Sequence, residues 1–320
     1  MTYQFRALAE QAQADGHITA EEVLALRRDG WADGRIEPAE AEAIFVLNHR
    51  LATRDARWVD FFVEAIGEYM LAGGSPRGFV SEAQADWLIA HLDRDGCVES
   101  MAELELLGWL FDRAEYVPER LKAYAIAQIE QVVLTGTGPT RDGGQIEAAN
   151  VTDTECRLLR RFLFAFAGGG AAGVTQAEAE LLFRLKDATL GAENSSEWEL
   201  LFVQGVANYL MAYNSFEQIS PERAVQLDAF MNDTRSRVGG FFGRMAKSDL
   251  GENFIEAASR VRRFGRKGAT DERDAGAAAA RKVSENENAW LQGQIEADRQ
   301  FDPLEKALLR FIADEEGRQA

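Results

Sequence analysis

Apolar residues recur along most of this chain at intervals of three and four. In WVDFFVEAIGEYML (residues 58–71), positions 58, 61, 62, 65, 66, 69 and 70 fall on one stripe, the spacing of an amphipathic helix. No stretch shows the period-two alternation of a half-buried strand. The pattern predicts an all-α fold of ten to twelve helices, each of 10–18 residues, joined by short loops. The Trp, Phe and Leu stripes are read as core.

One phrase marks the predicted helix starts: an apolar residue, a capping residue, two more residues, then Glu or Gln. It reads Ile18-Thr19…Glu22, Val80-Ser81…Gln84, Val151-Thr152…Glu155 and Val174-Thr175…Glu178. Ile36-Glu37-Pro38…Glu40 and Phe301-Asp302-Pro303…Glu305 carry Pro at the first helical position; Val117-Pro118 and Ile219-Ser220-Pro221 are weaker forms. The capping oxygen takes an orphan backbone N–H, and the residue three later bonds back to the cap. Proline loses nothing at the first position, where its N–H would have no intrahelical partner.

The chain also repeats itself. WVDFFVEAIGEYML (58–71) matches WELLFVQGVANYLM (198–211) at offset 140, pairing Trp58 with Trp198, Phe62 with Phe202, Val63 with Val203 and Tyr69 with Tyr209. IEPAEAEAIF (36–45) matches VTQAEAELLF (174–183) at offset 138. AEYVPERLKAYAI (114–126) loosely matches DRQFDPLEKALLR (298–310) at offset about 185. These matches predict a tandem duplication of a helical unit, with a first repeat over 1–135, a linker over 136–150 and a second repeat over 151–320. The larger offset places an insertion at about 232–288. TGTGPTRDGGQ (135–145), rich in Gly and Thr, is read as the connecting loop.

Composition narrows the function. Hydrophobic residues make up 46% of the 320, ample for a core, and the net charge of −18 disfavours nucleic acid as a general partner of the acidic body. The first residues carry acids and glutamines without an apolar h-region, and no run of about 18 uncharged apolar residues occurs, so a cytoplasmic protein is expected. Cys97 and Cys156 form no CxxC pair and are read as buried structural thiols. His17, His49 and His91 are scattered, with no spacing that would build a zinc site.

Three loops carry part of a calcium pattern, which wants oxygen ligands at positions 1, 3, 5, 7, 9 and 12, Gly at 6 and an apolar residue at 8. DGWADGRIEPAE supplies Asp29, Asp33, Gly34, Ile36, Glu37 and Glu40, with Trp31 at position 3. HLDRDGCVESMA supplies Asp93, Asp95, Gly96, Val98 and Glu99, with Ala102 at position 12. QAQADGHITAEE supplies Asp15, Gly16, Ile18 and Glu22. The matching stretch of the second repeat, GGGAAGVTQAE, has Ala171 and Ala172 in place of acids and keeps only the helix start. Asp29, Asp33, Glu37, Glu40, Asp93, Asp95 and Glu99 are the candidate metal ligands, and calcium is the ion they address.

The phrase Asp-Gly-x-[Ile/Val]-x-x-x-Glu in an acidic helical chain resembles EF-hand-like proteins. It is also similar to the TerB-like helical domains of tellurite-resistance systems. The resemblance covers short motifs over about half the chain. It implies calcium or another divalent ion near Asp29, Asp33 and Glu40.

Residues 231–267 reverse the charge. Nine basic residues (Arg235, Arg237, Arg244, Lys247, Arg260, Arg262, Arg263, Arg266, Lys267) meet four acids, an excess of five positive charges, with Phe241 and Phe242 among them. The first repeat has no counterpart to this segment. Three roles are open to it: an arm folded onto the acidic body, an amphipathic contact with an anionic membrane, or a contact with an acidic protein or nucleic acid. AGGGAAG (167–173) lacks the Lys and Ser/Thr of a phosphate loop, and no GxSxG occurs. The expectation is a non-catalytic cytoplasmic binding or scaffolding protein that needs no cofactor. Alternatives are a calcium sensor, a peripheral membrane protein and a metal-dependent hydrolase.

Overall fold

The computed structural model describes residues 16–30, 35–73, 77–93, 96–141, 149–164, 173–212, 285–297 and 301–317. Eleven α-helices form among them, and no strand does. Residues 78–80 and 115–116 meet in an isolated parallel bridge between Phe79 and Tyr116. The fold is all-α, as the periodicity predicts. The chain divides into two compact units, Met1–Tyr209 and Leu210–Ala320.

The helices of the first unit are α1 (Ala20–Gly30), α2 (Pro38–Arg50), α3 (Ala56–Ala72), α4 (Glu82–Leu92), α5 (Met101–Arg113), α6 (Glu119–Thr135), α7 (Asp153–Leu163), α8 (Gln176–Ala188) and α9 (Trp198–Ala212), the last continuing past the unit boundary at Tyr209. α3 is the hub, packing against α1, α2 and α5. Its stripe explains why: Trp58, Phe61, Phe62, Ala65, Ile66 and Met70 are all fully buried. A helix whose apolar arc is this wide can meet several neighbours at once. Beyond it, α4 packs on α6, α7 packs on α5 and α6, and α8 packs on α6. The first three helices past residue 150 therefore share one packed unit with α1–α6. Ion pairs reinforce these seams: Arg161 reaches Glu105 and Asp112 of α5 at 2.7 Å each, and Arg184 reaches Glu130 of α6 at 2.8 Å.

The helix starts form as their sequence dictates. Thr19, Ser81, Thr152 and Thr175 each accept the N–H of the residue three later, at 3.2–3.3 Å. Glu22, Gln84, Glu155 and Glu178 return the bond to the cap N–H at 2.8–2.9 Å. Glu40 Oε2 likewise accepts Glu37 N–H at 3.0 Å, with Pro38 at the first helical position. The preceding Ile36, Val80, Val151 and Val174 are buried. Pro118 differs from the expected register: it caps α6 rather than opening it. The start of α3, capped by Asp55, lacks the phrase, and that of α5 displaces it. Ser100 N–H donates to Glu103 at 3.0 Å to open α5, but the residue before Ser100 is Glu99, and the buried apolar residue, Val98, lies one place earlier.

In the second unit, α10 (Glu285–Glu296) and α11 (Pro303–Gly317) are described. Asp302 caps α11, accepting Leu304 N–H at 2.8 Å and Glu305 N–H at 3.0 Å, while Glu305 Oε2 accepts Asp302 N–H at 3.1 Å. The Ile219-Ser220-Pro221 start lies outside the described residues.

The segment read as a loop between repeats contributes to the core. Gly136 ends α6 with φ 69°, and from there the chain turns so that Arg141 is buried against α7. Its Nε stands 2.8 Å from Glu155 Oε1 and its Nη2 2.9 Å from Oε2; Nη1 and Nη2 also donate to Asn150 Oδ1 and O at 2.6 Å. Thr140 Oγ1 donates to Glu155 Oε1 at 2.7 Å. A buried pair is tolerable when its spare lone pairs and protons are used; here both carboxylate oxygens accept and both Nη groups donate, while Nε, close to Oε1, makes no well-aligned hydrogen bond.

Candidate functional site: a cleft between α2 and α4

α2 carries two stripes. The inner one, Ala41, Ile44, Phe45 and Asn48, is buried. The other, Glu42, Phe45, Val46, His49 and Arg50, runs at helical spacing beside α4 and lines an open cleft of about 460 Å³ with Ala90 and His91. Phe45 belongs to both stripes and forms the floor. Its ring stands edge-on to Trp87 at 5.6 Å and to Phe62 at 5.3 Å, and lies 5.0 Å from the His91 ring. Trp87 lies 4.3 Å from His91 and 5.1 Å from Tyr69. Burial, and secondarily the nearby Glu42 carboxylate, push the Tyr69 hydroxyl above its ordinary value.

Two imidazoles line this cleft, each engaged on its inner side. His91 Nδ1 is 2.8 Å from the carbonyl oxygen of Trp87. A carbonyl only accepts, so Nδ1 carries the proton, which makes Nε2 the acceptor whenever the ring is neutral. His49 Nε2 stands 3.4 Å from Glu103 Oε1.

Behind His49 lies a buried polar network. Glu103 Oε1 accepts Asn48 Nδ2 at 2.9 Å, and Oε2 accepts the N–H groups of Glu99 and Ser100 at 3.0 Å each. Asn48 Oδ1 accepts Trp58 Nε1 at 3.0 Å and Arg54 Nε at 3.1 Å, and its main-chain oxygen accepts Arg54 Nη2 at 2.6 Å. This network fixes the register of α2 against α3 and α5, and so sets the cleft wall.

The candidate metal ligands do not converge among the described residues. Glu40 is 4% exposed and holds the start of α2. Glu37 is exposed at the cap of that helix, Asp93 is exposed at the end of α4, and Glu99 is exposed before α5. Asp33, Trp31 and Asp95 lie outside the described residues, as does the side chain of Asp29. Among the described residues no group of three or more His, Cys, Asp or Glu side chains is placed to hold a metal ion. The basic-segment candidates, Arg235, Arg237, Phe241, Phe242, Arg244, Lys247, Arg260, Arg262, Arg263, Arg266 and Lys267, also lie outside the described residues, and so does most of the 167–173 glycine run.

The cysteines differ from one another. Cys156 is buried in α7, and burial beside Asp153 and Glu155 pushes its thiol up to about 12. Cys97 is half-buried rather than buried, and lines a cavity of about 110 Å³ with Gln128, Gln131 and Thr137. No helix among the described residues is long and apolar enough to cross a membrane.

The cleft was not legible in the sequence. His49 and His91 stand 42 positions apart, and only the packing of Phe45 on Trp87 brings them to one surface. A trace of it exists in the second stripe of α2, where Val46 sits among Glu42, His49 and Arg50. No family model, no curated protein and no solved structure matches this chain.

Proposed function

We propose that this protein is a non-catalytic helical binding or scaffolding protein that recognises its partner through the α2–α4 cleft. The observation that carries this reading is the second stripe of α2. Val46 remains 40% exposed on a helix whose other face is in the core, beside two imidazoles and opposite charges at either end. Binding sites are concave surfaces where apolar and polar groups converge, and this cleft sets Phe45, Val46 and Ala90 among Glu42, His49, Arg50 and His91. The basic segment about 232–288 is proposed as a second contact, either with the partner or with the protein's own acidic surface.

The same reading holds that the chain arose by tandem duplication of a helical unit, with copies over 1–135 and 151–320. Several equivalences support it. α1, α2 and α3 follow one another with the same order of starts as α7, α8 and α9. Phe45 meets Phe62 at 5.3 Å and 89°, and their counterparts Phe183 and Phe202 meet at 5.2 Å and 79°. Trp58 lies 6.4 Å from Phe62, and Trp198 lies 6.3 Å from Phe202.

Quantitative affinity capture from the native cytosol tests the binding reading. Three baits are compared: the intact chain, a 231–267 deletion, and the cleft variant Glu42→Arg/Val46→Asp. Loss of a discrete partner from the cleft variant supports the assignment; an identical partner set on all three baits removes it. Liposome co-sedimentation of the intact and deleted chains distinguishes a membrane role for the basic segment. Calorimetry with calcium, on wild type and Glu40→Gln, distinguishes the sensor, since Glu40 would have to leave its cap to ligate.

A further inference from the structure

We infer that the acidic end of this cleft is a subsite for an organic cation, a primary ammonium or guanidinium group carried on a polypeptide side chain. The inference rests on the binding reading above and adds the chemistry of the ligand.

Glu42 and His91 line this cleft together, and each can accept from a cation. Glu42 offers an exposed carboxylate. His91 has its Nδ1 proton committed to Trp87 O, so in its neutral form the nitrogen that can accept from a ligand is Nε2. Phe45, Trp87 and Tyr69 gather around them, with ring centroids 5.0 Å from His91 to Phe45, 4.3 Å from His91 to Trp87 and 5.1 Å from Trp87 to Tyr69. A carboxylate beside a cluster of aromatic rings is an environment that favours a cation over an anion. The net charge of −18 biases approach in the same direction. Arg50, the cleft's own cation, lies eight residues along α2 from Glu42, about 12 Å at helical rise. It therefore marks the opposite end of the groove, and a polypeptide lying along it would be oriented by the two charges.

The test uses the full chain labelled with ¹⁵N at histidine and follows the His91 ring nitrogens. The probes are Nα-acetyl-lysine amide, Nα-acetyl-arginine amide, the neutral Nα-acetyl-leucine amide, acetate, and a short lysine- and arginine-containing peptide. The two cationic amides should shift the His91 resonances saturably, and the leucine amide and acetate should not. Glu42→Gln should weaken the response by about fivefold, and Arg50→Gln should strengthen it by about twofold. Both positions are exposed, and an unchanged circular dichroism spectrum and melting midpoint verify that the fold is retained. Saturation by the peptide at concentrations about tenfold below the free amides identifies a polypeptide source. Equal affinity for peptide and free amide contradicts that part of the inference. A response to acetate that Arg50→Gln abolishes, or no response to either cation, overturns the cation subsite. In that second case, a partner still lost from the cleft variant in the capture experiment would leave the binding reading standing.

Discussion

The indole Nε1 of Trp58 donates to Asn48 Oδ1 at 3.0 Å inside the first unit. In the matching place of the second triplet, Trp198 is equally buried, but position 186, which corresponds to Asn48, is a lysine. A lysine ammonium has no acceptor to offer. Lys186 Nζ pairs with Asp187 at 2.7 Å, and Trp198 Nε1 has no hydrogen-bond partner among the described residues. The two tryptophans therefore contribute the same ring volume with different polar accounting. Trp58→Phe loses a buried hydrogen bond and leaves Asn48 Oδ1 with Arg54 Nε alone, whereas Trp198→Phe removes an unsatisfied donor. Trp58→Phe should be the more destabilising of the two by about 1–3 kcal/mol in chemical denaturation. Equal costs would contradict the assignment.

The pair Arg141–Glu155 gives a second prediction. Both side chains are at most 1% exposed. Arg141→Ala strands a buried carboxylate and should cost about 3–5 kcal/mol, lowering the denaturation midpoint without changing helix content at low denaturant. A cost below about 1 kcal/mol would mean that the 136–150 segment is peripheral to the unit.

Gly67 lies in the middle of α3, where Ala would ordinarily be the better helix former by about 1 kcal/mol. A Cβ built there would stand 2.3 Å from the Trp109 ring of α5. Gly67→Ala should therefore destabilise, by about 1–3 kcal/mol, because a bulky ring cannot yield as a flexible tip can. In the Trp109→Ala background the same substitution should turn stabilising. Thermal melts of the four proteins measure the coupling directly.

The cysteines give a pH prediction. The Cys156 thiol is held up, first by burial and then by its acidic neighbours, while the unfolded thiol keeps its ordinary value near 9. Folded protein thus binds this proton more tightly than unfolded protein does. The stability it contributes is complete below pH 9 and is lost as pH rises from 9 towards 12. Burial of the Tyr124 phenol adds to the same alkaline loss at higher pH. Cys156→Ala should flatten the fall in stability between about pH 9 and 10, below the tyrosine range. A thiol reagent at pH 8 should modify Cys97 in the native protein and reach Cys156 only after unfolding.

These cases show which parts of the molecule the sequence can announce. The helix starts at Thr19, Ser81, Thr152 and Thr175 are legible because a capping box is complete within four residues. The start at Ser100 is harder to read, since its apolar residue is displaced by one place. Arg141 is hidden among glycines and threonines, and nothing local marks it for burial; its partner Glu155 belongs to the next helix. His49 and His91 look unrelated until Phe45 packs on Trp87. Local hydrogen bonding is written in short words, whereas a surface is assembled from distant ones.

The central claim is that the open stripe of α2 is where this protein meets its partner. The most direct measurement places a photo-crosslinking residue at Val46 in the native host, with Leu134 and Leu190 as controls of similar exposure, 43% and 42% against 40%. The account predicts a discrete crosslinked species from position 46 alone, lost when Glu42→Arg is added. The same adducts at all three positions, or none at position 46, would contradict it.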